Sequence, residues 1–331
     1  MKKTVSLFLA ATMATTMGCS TPTTSTDAAK TYKVAIVKQL DHASLDEIAK
    51  AITEEFDALA KKDNVKIEYG DVYSGQNDQT TLQQIGSQVV AEGVDCIVPI
   101  ATLAAQTMTV SSSGAIPVVY AAVSDPEAAD LTDMEYVTGT SDALNTEQIM
   151  KMIFSQNPKA DKIGLLYSKS EANSTKPIAE AKAYLDEKGI SYVEVTGNTN
   201  DEIRQAAAAL IQNQVDAVFT PTDNVVMAAE LSIAQEFADA KIPHYTGADS
   251  FVRNGAFVTC GVNYTDLGKE TADLAYQTMV KGIDATGYAG SYEVMDGGII
   301  TVNQDTCEKI GVDASVFDTF GKVTMVSTSE E

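Results

Sequence analysis

Short apolar runs alternate along nearly the whole chain with longer stretches in which apolar residues recur every three or four positions. The short runs have the length of buried strands, and the longer stretches have the period of an amphipathic helix. In the stretch 44–61, for example, Leu45, Ile48 and Ile52 would lie on one stripe. Such alternation is typical of parallel strands that are connected by helices. The sequence therefore predicts an α/β fold.

The alternation divides into two units in series. The strands predicted in the first unit are 33–38, 65–69, 95–99 and 117–121, and its helices are 44–61, 78–92 and 101–112. The strands predicted in the second unit are 162–167, 191–195, 217–220 and 244–247, and its helices are 146–154, 174–188, 200–213 and 224–239. The extended stretch 136–140 joins the units and does not resemble a flexible linker. This pattern predicts two doubly wound, Rossmann-like lobes with a hinge between them.

Polar residues follow the predicted strands of both units. In open α/β sheets, ligands bind beyond the carboxyl ends of the strands, where loops and helix N-termini converge. The candidate ligand-binding residues are His42, Thr102, Ser124 and Asp125 in the first unit, and Ser170, Asn173, Ser174, Thr222, Asp223, Asn224 and Asp249 in the second. Each position alone also suits a helix cap or a turn. Together, at equivalent edges of two sheets, they predict one polar cleft.

Composition narrows the possible functions. The chain has 331 residues, four cysteines, two histidines and a formal net charge of −23. This acidity disfavours a nucleic-acid partner, because phosphate groups would be repelled. The sequence contains no GxSxG, HExxH or GxxxxGK motif, and two distant histidines do not form a metal-site pattern. No catalytic residue, metal or cofactor is therefore predicted. Cys96 and Cys260 lie in apolar runs and are expected to be buried.

The N-terminus has the features of an export signal. Residues 1–3 are Met-Lys-Lys, residues 5–17 are uncharged and too few to span a bilayer, and small residues follow. Cys19 comes directly after Gly18, an arrangement that resembles the lipobox of bacterial lipoproteins, although Thr16 stands where leucine is usual. The resemblance implies a signal peptide at 1–18, lipidation of Cys19, and a flexible tether at 19–31 that anchors an extracytoplasmic protein to the membrane. An ordinary secretory signal is the alternative.

Eight stretches, in their order and spacing, resemble the type I periplasmic solute-binding proteins of ABC importers. Within that family they look like the branch that includes tryptophan-binding and other aromatic amino-acid-binding lipoproteins. The stretches are 33–46, 95–106, 117–131, 137–142, 162–174, 219–229, 246–256 and 261–268. The resemblance implies a three-segment hinge, with a first lobe at 32–140 plus 264–290 and a second at 141–263 plus 291–331. It also implies a monomer that binds a small molecule, is not an enzyme, and delivers its ligand to an ABC permease.

The resemblance and the cleft chemistry together suggest how an amino acid would be held. A ligand carboxylate would take hydroxyl and N–H donors at Thr102 and Ser124. A ligand ammonium would take a carboxylate, and Asp249 is the first choice because the family places an acidic residue after that strand. Asp223 and Asn224 would lie alongside it.

The role of His42 has two interpretations. Members of the branch carry a similar His-x-x-Leu-Asp stretch, which implies contact with the ligand side chain or carboxylate. A histidine at a helix start can equally make only local bonds. The residues that could supply apolar walls for an aromatic side chain are Leu40, Tyr73, Tyr167, Phe251 and Tyr264.

Other functions remain open from the sequence. A hydrolase that uses His42 and Ser124 is disfavoured, because the acid–base groups are scattered and no nucleophile motif exists. The same fold could bind a sugar, a nucleoside or a signalling molecule, although the predicted cleft has few arginines to suit a sugar. The effector domain of a repressor is disfavoured by the export signal.

Overall fold

The computed structural model describes residues 30–329. The predicted signal peptide, Cys19 and the rest of the tether up to residue 29 lie outside the described residues. Within 30–329 the chain forms two α/β lobes, each built on a seven-stranded sheet. The predicted fold class is confirmed.

The first sheet has the order β12-β6-β5-β4-β1-β2, with β3 also paired to β1, and its strand pairs are parallel. Its strands are β1 (Thr31–Lys38), β2 (Lys66–Glu68), β3 (Tyr73–Ser74), β4 (Cys96–Ile100), β5 (Val118–Tyr120), β6 (Val137–Ser141) and β12 (Glu293–Val294). The helices of this lobe are α1 (Ala43–Asp63), α2 (Gln79–Glu92), α3 (Thr102–Ser112) and α9 (Tyr264–Lys281).

The second sheet has the order β14-β13-β11-β10-β9-β7-β8, and only the β11–β13 pair among these is antiparallel. Its strands are β7 (Lys162–Tyr167), β8 (Ser191–Thr196), β9 (Ala217–Thr220), β10 (His244–Thr246), β11 (Val258–Gly261), β13 (Ile299–Asn303) and β14 (Val323–Val326). The helices of this lobe are α4 (Thr146–Gln156), α5 (Thr175–Lys188), α6 (Asn200–Gln212), α7 (Asn224–Asp239), α8 (Asp249–Arg253) and α10 (Gln304–Ile310).

The chain passes between the sheets three times. The passages lie after β6, between β11 and α9, and between β12 and β13. β12 pairs with β6 through Glu293 opposite Thr140 and Val294 opposite Ser141. Pairing in the first sheet therefore extends past residue 290, where the sequence analysis placed the end of the returning segment.

Both sheets are covered by apolar side chains on their two faces. In β1, Val34 and Ile36 belong to one buried cluster, whereas Ala35 and Val37 belong to another. A parallel sheet that is covered on both faces reads in sequence as a continuous apolar run, as β1 does. Cys96 and Cys260 are buried, as predicted, and neither forms a disulfide within residues 30–329. Among residues 30–329, no helix has the length and apolarity that crossing a membrane requires.

The returning helix α9 packs along α1 and comes closest to it at Gly268. A Cβ atom added at Gly268 would lie 2.7 Å from the Cβ of Ala51 and 2.8 Å from the carbonyl oxygen of Ile48. Both atoms are fixed parts of α1, so a side chain at this position would force the two helices apart. The absence of a side chain at 268 therefore sets the spacing of α1 and α9.

We expect Gly268→Val to lower the free energy of unfolding by about 1–3 kcal/mol, because overpacking displaces α9 from α1. Urea unfolding followed by circular dichroism measures the change. Gly297→Val is the matched control, since the nearest atom to its Cβ would be 4.0 Å away. Equal losses in the two variants would contradict the packing argument.

Candidate functional site

Residues that follow the carboxyl ends of both sheets enclose a cavity of about 20 Å³ between the lobes. This volume is room for about one water molecule. The polar residues of its lining are His42, Ser44, Thr102, Ser124, Asp142, Asn173, Thr222, Asp223, Asn224 and Tyr264. Its apolar lining consists of Leu45, Ala101, Ala122, Met227 and Phe251.

The structure brings most of the predicted site residues together. The candidates that line the cavity are His42, Thr102, Ser124, Asn173, Thr222, Asp223 and Asn224. Asp125, Ser170, Ser174 and Asp249 are not part of that lining. Of the residues predicted to form apolar walls, Phe251 and Tyr264 line the cavity, whereas Leu40, Tyr73 and Tyr167 do not.

The sequence analysis missed two polar residues that line the cavity, Asp142 and Ser44, and two that lie beside it. Asp142 comes directly after β6, so the same rule of strand ends would have found it. Ser44 lies in the first turn of α1, which follows β1. Glu171 lies in the loop after β7, beside the selected Ser170, but its chain neighbours gave no reason to prefer it. Gln39 is the first residue after β1, and its contact with Glu171 depends on how the lobes meet.

Asp223 caps a helix, and both of its carboxylate oxygens accept hydrogen bonds from donors in its own lobe. Its Oδ1 accepts from the backbone N–H of Val226 at 2.9 Å and caps α7. Its Oδ2 accepts from the backbone N–H of Ser168 and the hydroxyl of Ser174, both at 2.7 Å. Burial raises the pKa of Asp223, and these hydrogen bonds oppose the rise. Asp223 and Ser174 therefore organise the cavity wall together.

Asp249 forms an ion pair instead of facing the cavity. The Arg253 guanidinium donates from Nη1 to Asp249 Oδ2 at 2.7 Å, and its Nη2 pairs with Glu47 of α1 in the other lobe. Burial raises the pKa of Asp249, and the charge of Arg253 counteracts that effect. Because Asp249 already has a cationic partner, its carboxylate is not available to a second cation without breaking this pair.

Asp142 is a buried carboxyl group at the cavity, and it has no cationic partner among the described residues. Its Oδ1 accepts from the Ser124 hydroxyl at 2.8 Å and its Oδ2 from the Tyr264 hydroxyl at 3.0 Å. Ser124 has a single hydroxyl proton, so its oxygen accepts from Thr222 at 3.0 Å across the cleft. Burial raises the pKa of Asp142. A carboxylate of this kind favours a positively charged hydrogen-bond donor.

A chain of amide and carboxyl groups connects the lobes beside the cavity. Gln39 Nε2 of the first lobe donates to Glu171 Oε1 at 2.7 Å. Asn224 Nδ2 donates to Glu171 Oε2 at 2.6 Å, and Asn224 Oδ1 lies 3.0 Å from His42 Nε2 of the first lobe. Burial and the nearby Asp223 raise the pKa of Glu171 to about 7. Burial lowers the pKa of His42 to about 4, so its imidazole is neutral at pH 7.

The N-terminus of α3 opens onto the cavity, and its N-cap residue makes no side-chain cap bond. Its N-cap residue, Ala101, has φ 75° and ψ 163°, a backbone conformation that usually requires glycine. In the first turn of α3, the backbone N–H of Leu103 donates to Gln39 Oε1 at 3.1 Å. Apart from this one bond to Gln39, the N-terminus of the eleven-residue helix carries partial positive charge and N–H donors. The site thus combines a carboxylate and an anion-attracting helix end.

Comparison with known proteins gives consistent matches over the described chain. A family model described as ABC transporter substrate binding protein matches residues 33–316. The tyrosine-binding protein of Clostridioides difficile (strain R20291) is 30% identical over 330 residues, which cover 93% of this chain and 92% of that protein.

Two solved structures bear on the arrangement of the lobes. The ABC domain in complex with L-Trp from Streptococcus pneumoniae matches with a TM-score of 0.79 and 28% identity, over 89% of this chain and 100% of that one. The ligand-free, open structure of a substrate binding protein with adhesive properties from Clostridium difficile matches with a TM-score of 0.66 and 28% identity, over 90% of this chain and 100% of that one. At equal identity, the L-Trp complex has the higher TM-score of the two.

We expect the stability of the wild-type protein to fall, relative to Glu171→Gln, as the pH rises from 5 to 8. The folded state holds a proton on Glu171 up to about pH 7, whereas the unfolded chain loses it near the ordinary glutamate pKa of 4.5. The folded state therefore binds more protons between these pH values, and its advantage is lost as the pH rises through 7. Urea midpoints of the two proteins at several pH values measure the difference. Parallel pH profiles would contradict the assignment.

Proposed function

We propose that this chain, which belongs to the ABC transporter substrate-binding proteins, captures an aromatic amino acid between its lobes and delivers it to an ABC permease. Substrate-binding proteins are not enzymes, in agreement with the missing catalytic motifs. The observation that carries the proposal is the buried carboxyl group of Asp142, which faces the interlobe cavity without a cationic partner among the described residues. The names of the tyrosine-binding relative and of the L-Trp complex support the same class of ligand.

In this proposal Asp142 replaces Asp249 as the partner of the ligand ammonium. Asp249 is occupied by Arg253, whereas the hydrogen bonds of Asp142 come from the neutral hydroxyls of Ser124 and Tyr264. A charge-assisted bond from an ammonium group is stronger than either of these. Binding of a cation would also offset the burial that raises the pKa of Asp142.

The ligand carboxylate would lie at the N-terminus of α3. The first-turn N–H groups that Gln39 does not occupy and the buried hydroxyl of Thr102 provide donors there. Ala101 keeps a strained φ of 75° at this point, and strained residues at a cavity are a common feature of ligand sites. The aromatic side chain would pack against Leu45, Met227 and Phe251.

Ligand entry requires the lobes to separate. A cavity of about 150 Å³ holds a benzene ring, whereas the cavity between these lobes measures about 20 Å³. An aromatic amino acid must therefore displace direct contacts such as those between Ser124 and Thr222 or Ser44 and Ser250. We propose that the protein acts as a monomer that opens at its three crossings and closes around the ligand.

We also propose that the protein is extracytoplasmic and is held at a membrane by lipid on Cys19. The support is the sequence of residues 1–19, which lie outside the described part of the chain, and membership of a transporter family whose binding proteins work outside the cytoplasm.

Thermal unfolding of the purified protein with each of the twenty amino acids, common sugars and nucleosides tests the ligand class. A ligand at about 100 times its Kd stabilises the native state by about 2.7 kcal/mol. We expect a stabilising shift with tyrosine or tryptophan.

Asp142→Asn should bind the amino acid at least about tenfold more weakly, because the ligand ammonium loses a charged acceptor. Asp71→Asn is the matched control, since Asp71 is exposed on the first lobe and lies outside the cavity lining. A shift with sugars or nucleosides alone would overturn the proposed ligand class.

Fractionation of bacteria that express the full chain tests the anchor. The wild-type protein should be found with the membranes, and Cys19→Ser should be released in soluble form. Cys307→Ser is the control, because Cys307 is a buried thiol within the second lobe. If Cys19→Ser stayed with the membranes, lipidation of Cys19 would not be the anchor.

A further inference from the structure

The orientation of two amide groups is set by Glu171. Above its pKa of about 7, the Glu171 carboxylate accepts hydrogen bonds and donates none, so the groups at 2.7 Å and 2.6 Å from its oxygens are then the N–H groups of Gln39 and Asn224. Asn224 therefore presents its carbonyl oxygen, Oδ1, to the first lobe. Glu171, Asn224 and Gln39 are each buried or half-buried where the lobes meet.

Asn224 in turn sets the tautomer of His42. A carbonyl oxygen only accepts, so the His42 Nε2 that lies 3.0 Å from Asn224 Oδ1 must carry the proton. The ring is neutral at pH 7 because burial lowers its pKa to about 4. In a neutral imidazole with a proton on Nε2, Nδ1 has a lone pair and accepts a hydrogen bond.

His42 Nδ1 is buried and has no hydrogen-bond partner among the described residues. A buried acceptor without a donor is unfavourable, and such groups in native proteins call for an explanation. His42 also lines the cavity, next to its apolar wall. Leu45 lies three residues after His42, and Met227 lies three residues after Asn224, so helical spacing places the apolar side chains beside the His42–Asn224 pair.

We propose that His42 Nδ1 accepts a hydrogen bond from the O–H or N–H group of the ligand's aromatic side chain, and that this bond selects tyrosine and tryptophan over phenylalanine. The inference rests on the proposed function and adds the residue that determines specificity. It also resolves the role of His42: as an acceptor, Nδ1 repels the ligand carboxylate and leaves that group to the N-terminus of α3. Glu171 and Asn224 act as positioning residues, because they set the tautomer without contact with the ligand.

Calorimetric titration of the wild-type protein with tyrosine, tryptophan and phenylalanine at pH 8 is the first measurement. At this pH Glu171 is above its pKa of about 7 and is mostly ionised. We expect phenylalanine to bind at least about tenfold more weakly than the better of the other two, since it leaves the buried Nδ1 unpaired. Equal affinities for all three would overturn the inference but not the proposed function. No binding of any amino acid would overturn the proposed function itself.

Two substitutions of His42 test the roles of its two ring nitrogen atoms separately. His42→Gln keeps an N–H near the position of Nε2, for Asn224, but removes the acceptor at Nδ1. Tyrosine and tryptophan should then bind as weakly as phenylalanine, with phenylalanine unchanged. His42→Asn keeps an oxygen near Nδ1 but loses the contact with Asn224, so all three ligands should weaken while the preference persists. Equal weakening of all three ligands in His42→Gln would instead assign the donor to the ligand ammonium and overturn the side-chain contact.

Nitrogen-15 NMR of the imidazole provides a measurement that does not depend on a variant. The Nδ1 resonance of His42 should have the shift of a nitrogen without a proton in the unliganded protein. Tyrosine should move it towards the hydrogen-bonded range, and phenylalanine should not. A proton on Nδ1 in the unliganded protein would overturn the proposed tautomer.

Discussion

The burial of carboxyl groups between the lobes is the constraint on which the arrangement of this site depends. Asp142, Glu171, Asp223 and Asp249 are all buried there, and burial raises the pKa of each. A buried carboxyl group is tolerated only if donors or a cation compensate for the lost water. Each of the four carboxyl groups is compensated by different partners. Those partners determine whether the group is available to a ligand.

Asp223 is satisfied within its own lobe by a helix N-terminus and a serine, and Asp249 by an arginine. Both are therefore structural in this arrangement. Glu171 is satisfied by amides from both lobes, so it stabilises the contact between them. Among residues 30–329, the side chains that donate to Asp142 are the neutral hydroxyls of Ser124 and Tyr264. Of the four carboxyl groups, Asp142 is therefore the one that a cation in the cavity would stabilise most.

The same comparison explains why the strand-end rule gathers these residues at one edge but does not rank them. Carboxyl ends of parallel strands meet at one edge of a sheet, so His42, Thr102, Ser124 and Asn224 could be expected to come together from their positions after strands. Asp142 obeys that rule equally well. The pairing of Asp249 with Arg253 is local to α8, four residues apart, and the sequence analysis did not weigh it. Only the contact of Arg253 with Glu47 depends on the two lobes meeting.

The sequence by itself determined the two α/β lobes, the edge at which the polar residues gather, and the burial of Cys96 and Cys260, because apolar period and strand order act locally along the chain. Tertiary structure alone decided which polar groups meet across the lobes. The Gln39–Glu171 pair joins residues that are 132 positions apart, and the His42–Asn224 pair joins residues 182 apart. Such pairs exist only where the lobes touch, and no local pattern encodes which donor meets which acceptor. The tautomer of His42 follows from those contacts.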